Sequence, residues 1–422
     1  MKSKNFDRNF VLMVIGQIIS ILGSSILRFA LDLYILDLTG RADIFAAVLA
    51  ISTIPVILFS PIGGAIADRF NRRNLMVIFD FCSSFVVLVL ILLYLSGRAD
   101  VVGITMVMTL LSLISAMYQP AVQASIPMLV KEEGLAQANG IVSGVGAISG
   151  LLGPVLGGML YGAVGLKSLI IFSCGAFFCS AVMEIFIQIP FTKLERTRHI
   201  IPTIISDMKD GFRYMFHKNR RIFKTLLLAA ALNMFLSAFI TVGAPYVLRV
   251  TMESSDTMYG IGMGLAQVAS IGGALLVGVF APKMKLETLY LWLLGIAVLL
   301  LPMALAVTGG VLGLGYLPSF LLFFLFAMAI MLMATVISIF VITEIQRETP
   351  NELLGKIMAL VMAVAQCAAP LGQIFYGAAF EWFSKDVYIP VLIAAVFTGL
   401  IGVAGKFALR PEPVKFIKEA SE

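Results

Sequence analysis

The chain of 422 residues is 60% hydrophobic and 13% charged, and its formal net charge is +6 at pH 7. A mean hydropathy of +1.01 lies far above the range of soluble domains, so the composition excludes an ordinary soluble protein and indicates an integral membrane protein. The basic residues follow the ends of the apolar segments rather than forming one patch, which argues against a nucleic-acid partner.

Twelve apolar runs follow one another along the chain. A helix needs about 20 residues to cross roughly 30 Å of hydrocarbon, and each run is long enough. The sequence therefore predicts an all-α integral membrane protein with twelve transmembrane helices. We number these runs as spans 1 to 12, near residues 10–36, 44–66, 75–95, 101–124, 139–163, 167–190, 222–248, 258–281, 287–307, 316–343, 355–380 and 388–409.

The basic residues orient these spans. With both termini on the same side, that side holds 24 Lys and Arg, and the other side holds 5. Lys and Arg concentrate in cytoplasmic loops. We therefore expect a multi-pass protein of the cell membrane with both termini in the cytoplasm. The first run exceeds a signal-peptide core and lacks a small-residue cleavage site, so we expect it to remain in the mature protein.

Glycine, proline and basic residues recur between the two halves of the chain. The offsets are 214 to 216 residues, and the pairs are Gly64 and Arg69 with Gly278 and Lys283, Gly140 with Gly355, and Pro154 with Pro370. Unless these matches are chance, they predict two pseudo-symmetric six-helix bundles with the substrate site between them. We expect the bundles at 1–190 and 222–422, which ends in a short cytoplasmic tail, and a cytoplasmic linker at 191–221.

The linker contains a helical pattern. Apolar residues lie opposite polar ones at helical spacing, as Ile204, Ile205, Met208, Phe212 and Met215 show. This favours an amphipathic helix at the membrane surface, although a solvated linker helix fits the pattern nearly as well.

Two short motifs carry a family resemblance. The stretch GAIADRFNRRNL begins at Gly64 in the connection between spans 2 and 3, and GPVLGG occupies residues 153–158. The first resembles the loop signature of the major facilitator superfamily, and the second resembles the span 5 motif of its exporters. Further stretches, among them QPAVQASIPMLVKEEGLAQANG and EIQRETPNELLGK, are similar to its macrolide and multidrug efflux branch.

The resemblance implies a conformational latch in the connection between spans 2 and 3. In the family, the residue matching Asp68 contacts the inner end of span 11, and the one matching Arg69 joins a charge network. The alternative for the basic pair is orientation alone, but acids contribute little to orientation. The expected latch residues are Gly64, Asp68, Arg69, Arg72, Arg73 and Asp80.

The chain departs from the family pattern at two positions. Asn71 stands where the loop signature has glycine, a mild change because Asn tolerates left-handed backbone better than most residues. Leu111 stands where the family often has an arginine linked to proton coupling. This second departure weakens the transfer of proton antiport.

Ionisable residues inside spans are costly and therefore functional candidates. Arg28 and Asp32 stand four residues apart in span 1, where they either gate or titrate, or form a neutral structural ion pair. Glu184 in span 6 either takes up a proton or extends to the inner surface. We expect these three residues to serve coupling or gating.

Family architecture lines the substrate cavity with spans 1, 4, 7 and 10. The polar and aromatic residues that this implies are Gln17, Ser24, Tyr118, Gln119, Gln123, Asn233, Phe235, Ser237, Thr335 and Ser338. Phe239, Met328, Met331 and Met333 would add a soft apolar wall, unless they face lipid or pack within the bundle.

The span 5 motif combines a helix bend with small residues that permit close helix contact. Its residues are Gly153, Pro154, Gly157 and Gly158. Tight packing alone would explain the glycines, but Pro370 at the equivalent place in span 11 favours an interface on which the halves rock.

The expected function is secondary export of lipophilic, drug- or macrolide-like molecules by alternating access, coupled to proton antiport. A siderophore or lysolipid is the alternative substrate, and a membrane sensor or membrane enzyme is the disfavoured alternative class. We expect no enzyme activity, because the chain has no phosphate-binding GxxxxGK[ST] loop and no nucleophile with its base. We expect no cofactor, no metal, no nucleic acid, a monomer, and protons and membrane lipid as partners.

Overall fold

The computed structural model describes residues 7–131, 134–189, 209 and 212–409. Within these ranges all regular structure is helical. Eleven helices there are long and apolar enough to cross a membrane, and the longest holds two crossings. The predicted all-α fold with twelve spans is confirmed. Most of the predicted amphipathic linker helix lies outside the described residues, although residues 212–217 are helical.

The helices match the apolar runs to within a few residues at most ends. Spans 1 to 4 are Arg8–Thr39, Ala42–Arg69, Arg72–Leu95 and Val101–Leu129. Spans 5 and 6 form one run, Leu135–Ile185. Spans 7 to 12 are Arg220–Thr251, Asp256–Phe280, Leu289–Leu305, Tyr316–Glu348, Asn351–Trp382 and Tyr388–Ala408.

Single residues set several of the helix ends. Gly165 separates spans 5 and 6 with φ 73°, a conformation that costs glycine little. Asn71 precedes span 3 with φ −62°, and its side chain accepts hydrogen bonds from the amides of Arg73 and Asn74. Asn71 is therefore an N-cap in extended backbone, and the left-handed geometry considered for it is wrong.

Successive spans run in opposite directions, so the bundle has two ends. We call the end that carries Arg8, residues 70–71 and Ala408 the terminal face, and the end that carries Gly40 and Gly165 the distal face. The large apolar side chains on the outside, such as Leu275, are exposed as expected for a surface that contacts lipid.

Equivalent helices make equivalent contacts in the two halves. Span 2 packs on span 4, and span 8 packs on span 10 in the same way; spans 3 and 4 correspond to spans 9 and 10. The halves meet where span 2 contacts span 11 and where span 5 contacts span 8. Spans 2 and 5 of the first half correspond to spans 8 and 11 of the second, so the internal symmetry relates one interface to the other, as expected for two pseudo-symmetric bundles.

Candidate functional site

Spans 5 and 8 approach each other backbone to backbone near the distal face. A Cβ atom added at Gly158 would lie 2.4 Å from the carbonyl oxygen of Asp256, and one at Gly260 would lie 2.5 Å from that of Pro154. No side chain fits at these separations without movement. The two glycines therefore permit the close contact of the halves.

The span 5 motif uses two faces of its helix. Pro154 and Gly158 face span 8, whereas Gly153 and Gly157 face span 1. A Cβ atom at Gly153 would lie 2.5 Å from the Cβ of Ser25, and one at Gly157 would lie 2.9 Å from the Phe29 ring. The motif thus joins span 5 to its own half and to the other half at the same depth.

The same two spans separate toward the terminal face. A Cβ atom added on span 5 at Gly140, Gly144 or Gly146 would meet open space, and so would one on span 8 at Gly272 or Gly278. The interface of spans 5 and 8 is therefore closed at its distal end and open at its terminal end.

A charge cluster joins the halves at the distal face. The Arg249 side chain donates to Asp37 from Nε at 2.5 Å and from Nη2 at 2.9 Å. Nη2 also lies 2.8 Å from Asp256 Oδ1, and the hydroxyl of Tyr161 donates to Asp37 Oδ2 at 3.1 Å. We call Asp37, Tyr161, Arg249 and Asp256 the distal cluster. The sequence analysis missed it.

A large cavity of about 590 Å³ lies in the C-terminal half. Its lining comes from spans 7, 9, 10 and 11 and is mostly aliphatic. Among the described residues that line it there is no Asp, Glu, Lys or Arg, and the polar ones are Thr225, Asn233, Ser237, Thr241, Thr335, Ser338 and Gln366. Such a lining suits an uncharged, largely apolar ligand with a few hydrogen-bonding groups.

The structure brings four of the predicted cavity residues together in this cavity: Asn233, Ser237, Thr335 and Ser338. Met331 also lines it, as part of the expected apolar wall. A π-helical turn at Asn233–Ser237 lies beside the cavity, and such turns are frequent at functional sites. Gln366 of span 11 was not expected, because family architecture directed attention to four other spans.

Phe235 does not line the cavity, so its assignment there is wrong. Its ring stacks on Phe397 of span 12, with the ring centres 4.1 Å apart, and meets Phe375 edge-on. Helical spacing explains this, because a residue two positions from both Asn233 and Ser237 points to the opposite side. Phe235 therefore anchors span 7 to its neighbours.

Gln119 and Gln123 line a separate groove of about 190 Å³ between spans 2 and 4. Tyr118 and Gln17 do not line either cavity, because both are buried inside the N-terminal half. Ser24 is half-buried and lines neither cavity. Neither of these two cavities is lined by described residues from all four of the expected spans 1, 4, 7 and 10.

A polar cluster is buried within the N-terminal half. Asp80 of span 3 is 2% exposed and accepts from Ser20 Oγ at 2.9 Å, and Glu184 of span 6 is 0% exposed and accepts from the Tyr118 hydroxyl at 2.7 Å. Gln17 is also 0% exposed. We call Gln17, Ser20, Asp80, Tyr118 and Glu184 the carboxyl cluster.

This cluster corrects two assignments. Glu184 does not extend to the membrane surface, because its carboxyl is buried against Tyr118. Asp80 makes no ion pair with Arg72 or Arg73 among the described contacts, because it lies deeper, beside Ser20. Asp80 therefore belongs to the carboxyl cluster rather than to the latch.

Arg28 and Asp32 are neighbours without a direct contact. Arg28 is exposed and close enough for its charge to act on Asp32, but the ion pairs of the described residues do not include this pair. Asp32 Oδ1 is buried without a hydrogen-bond partner. The structural ion pair considered for them is absent from the conformation described.

The expected latch is only partly described. Arg72 Nε donates to the carbonyl of Ala67 at 3.2 Å, and Arg73 Nη2 donates to that of Ile185. Both bonds hold the start of span 3 against neighbouring helix ends. A Cβ atom at Gly64 would meet open space, Arg69 is exposed, and the side chain of Asp68 lies outside the described residues.

Known proteins share this sequence pattern and this fold. Macrolide efflux protein A of Streptococcus pyogenes is 26% identical over 385 residues, which cover 88% of this chain and 89% of that protein. The staphyloferrin A transporter of Staphylococcus aureus (strain NCTC 8325 / PS 47) is 22% identical over 284 residues, with 66% and 70% covered. A crystal structure of a bacterial homologue of the iron transporter ferroportin, in the inward-facing state, superposes with a TM-score of 0.72 at 18% identity and covers 96% of this chain and 99% of its own.

A family model extends this likeness over most of the sequence. The model described as Major Facilitator Superfamily matches residues 13–346. Together with the two related six-helix bundles, this match shows that the chain belongs to the major facilitator superfamily, whose members are membrane transporters and not enzymes.

Proposed function

We propose that the protein is a secondary exporter of lipophilic, uncharged small molecules that works by alternating access and is driven by inward proton movement. The observation that carries the proposal is the 590 Å³ cavity, whose described lining residues are all uncharged. It lies in a bundle whose halves are closed at one end and open at the other. A ligand that enters from the open end would be released after the halves rock.

The direction of transport follows from the proposed orientation. The terminal face carries most of the basic residues, so we place it in the cytoplasm of a bacterial cell. The conformation described is then open to the cytoplasm and closed to the outside, the state in which an exporter loads. The latch residues would stabilise the opposite state, in which the terminal face is closed.

A macrolide-like substrate is supported by the similarity to macrolide efflux protein A. The alternative is export of a siderophore, which the similarity to the staphyloferrin A transporter supports. The cavity lining favours the first class, because a ligand rich in carboxylates would meet no cationic side chain there.

Transport by purified protein in liposomes tests this proposal. Macrolides, a cationic dye and a siderophore would be offered in turn, with and without an imposed pH gradient. We expect accumulation of the neutral or lipophilic compounds, by up to about tenfold for each pH unit if one proton is exchanged per molecule. Accumulation of the siderophore alone, or no effect of any gradient on any compound, would contradict the proposal.

A charge introduced into the cavity tests the ligand class more narrowly. Ser338 is exposed in the cavity, so Ser338→Asp should fold. An uncompensated carboxylate there should weaken binding of a neutral ligand by about tenfold, or about 1.4 kcal/mol, and improve binding of a cationic dye. Ser338→Asn is the matched uncharged control, and equal losses in both variants would show that charge is not what the cavity selects.

A further inference from the structure

The carboxyl cluster contains polar atoms that the structure leaves unsatisfied. Asp80 Oδ2, Glu184 Oε2 and both amide atoms of Gln17 are buried and lack hydrogen-bond partners. Buried polar atoms are normally paired, because leaving one unpaired costs about 1–3 kcal/mol. Four such atoms on three neighbouring side chains indicate that the cluster is built for an additional occupant.

Gln17 is buried on span 1, in the same helical turn as residues that contact both carboxyl groups. The preceding residue, Gly16, lies against Glu184, since a Cβ atom there would be 3.8 Å from Glu184 Oε1. Ser20, one turn further on, donates to Asp80. The charges of Asp80 and Glu184 also act on each other. Gln17 therefore lies along span 1 between Gly16, which is next to Glu184, and Ser20, which bonds Asp80.

The unsatisfied atoms match a pair of carboxyl groups that shares one proton. A protonated carboxyl donates through its O–H, and the Gln17 carbonyl oxygen is an unoccupied acceptor. An ionised carboxylate accepts, and the Gln17 amide is an unoccupied donor. Two ionised carboxylates in one buried site are strongly disfavoured, whereas one proton on the pair leaves a single buried charge.

The surroundings of the cluster offer no cation as an alternative. Span 4 contributes the Tyr118 hydroxyl, span 1 contributes Ser20 and Gln17, and span 6 contributes Ser180, whose hydroxyl donates to the Gly16 carbonyl at 2.9 Å. In the part of the chain that the structure describes, neither carboxyl of the cluster has a Lys or Arg in an ion pair. Among the described residues, Arg73 is a basic group bonded to the end of span 6, where it donates to the carbonyl of Ile185.

We infer that Asp80 and Glu184 together carry the coupling proton, that Gln17 positions them, and that this site is separate from the ligand cavity. The inference rests on the proposed function. An O–H bond forms on a carboxylate oxygen when a proton arrives from the distal side, and it breaks when the proton leaves to the terminal side. All lining residues of the large cavity come from the C-terminal half, so proton and ligand do not compete for one group. They act on each other through the equilibrium between the two conformations.

This separation has a measurable consequence. If the proton and the ligand bound the same group, replacing that acidic side chain by its neutral amide would alter ligand affinity directly. With separate sites, the Glu184→Gln variant should still exchange ligand across the membrane without net transport. Its exchange rate should be within about twofold of that of the original protein. The same variant should lose the accumulation driven by a one-unit pH gradient, which is about tenfold at one proton per ligand.

The experiment uses the full-length protein in liposomes and measures gradient-driven accumulation and ligand exchange side by side. Asp80→Asn and Glu184→Gln should both lose accumulation and keep exchange. Gln17→Leu should shift the pH at which accumulation is half-maximal. Gln17→Glu should not restore the original pH dependence. Glu253→Gln is the matched control, because Glu253 is exposed, and it should behave like the original protein.

The outcomes separate this inference from the proposed function. If the original protein shows no gradient-driven accumulation, the proposed function fails. If it does but Asp80→Asn and Glu184→Gln remain coupled, this site is overturned and the function stands. Accumulation driven by a sodium gradient in place of a pH gradient would overturn the proton as the occupant. If Glu184→Gln does not fold, Tyr118→Phe, which removes one hydrogen bond to Glu184, should shift the same pH dependence.

Discussion

The two ends of the interface between spans 5 and 8 differ in how they are held. At the distal end, Gly158 and Gly260 bring the backbones into contact and Arg249 binds carboxylates from both halves. At the terminal end, Gly144 and Gly272 are also glycines, but a Cβ atom added at either would meet no atom within 4 Å. Small residues at both ends of one interface, with only one end in contact, are what alternating closure requires. If the halves rock as proposed, we expect the glycines at the terminal end to come into contact in a second state, in which the terminal face is closed.

The largest expected effect comes from filling the distal contact. In Gly158→Val, the added carbon atoms would overlap the Asp256 carbonyl, and such overpacking costs about 1–3 kcal/mol. We expect the equilibrium to shift toward the conformation open at the distal face, and transport to fall by about tenfold or more. Transport and the thermal midpoint of the purified variant measure these effects.

Gly175→Val is the control for that change. Gly175 is exposed and a Cβ atom there would meet open space, so the substitution changes helix propensity without touching the interface. If Gly158→Val and Gly175→Val transport equally well, the distal backbone contact has no role in the cycle.

A smaller effect should follow from removing the cation of the distal cluster. The side chains of Arg249, Asp37 and Asp256 are 21%, 29% and 24% exposed, so solvent weakens their attraction and we expect about 1 kcal/mol in the Arg249→Gln variant. This corresponds to about a fivefold shift toward distal opening. Raised salt should reduce the difference between the variant and the original protein.

Arg98→Gln is the matched control, because Arg98 is an exposed arginine on the same face. It should leave the equilibrium unchanged. A similar shift in both variants would attribute the effect to net charge at the distal face rather than to the bonds between Arg249 and the two aspartates.

The smallest effect, of opposite sign, should come from the terminal end. A methyl group at Gly144 meets nothing in the conformation described, so Gly144→Ala should be tolerated here. In the state with a closed terminal face it should be crowded, which would shift the equilibrium toward terminal opening by about 1 kcal/mol or less. Gly175→Ala serves as control, and a shift toward distal opening would contradict the symmetric interface.

Much of the fold followed from the sequence because the membrane imposes simple rules. Apolar runs of sufficient length must be helices, and the recurrence of Gly64 and Pro154 in the second half indicated the repeat. Asn233 and Ser237, which the family resemblance implied as polar residues of span 7, do line the large cavity.

The positions of several polar side chains could not be predicted from the sequence, for specific physical reasons. Gln17 was assigned to the cavity because the family architecture lines the cavity with span 1, but its side chain is buried inside the N-terminal half. Arg249 and Asp37 are 212 residues apart in the sequence, so nothing in the sequence pairs them. Each lies at the end of a span, where a single charged residue is usual. Asp80 was placed near the basic pair of span 3, because sequence distance does not reveal that it turns toward span 1.

The central claim is that the two ends of the molecule open alternately. Spin-label pairs at Val164 with Thr257 and at Asn139 with Val279, all exposed, would report the distal and terminal ends of spans 5 and 8, with the 4 native cysteines replaced. Distances would be measured in liposomes at high and low pH, with and without a macrolide. We predict that the terminal distance shortens whenever the distal distance lengthens. Distances that change together, or that do not respond to pH or ligand, would contradict alternating access.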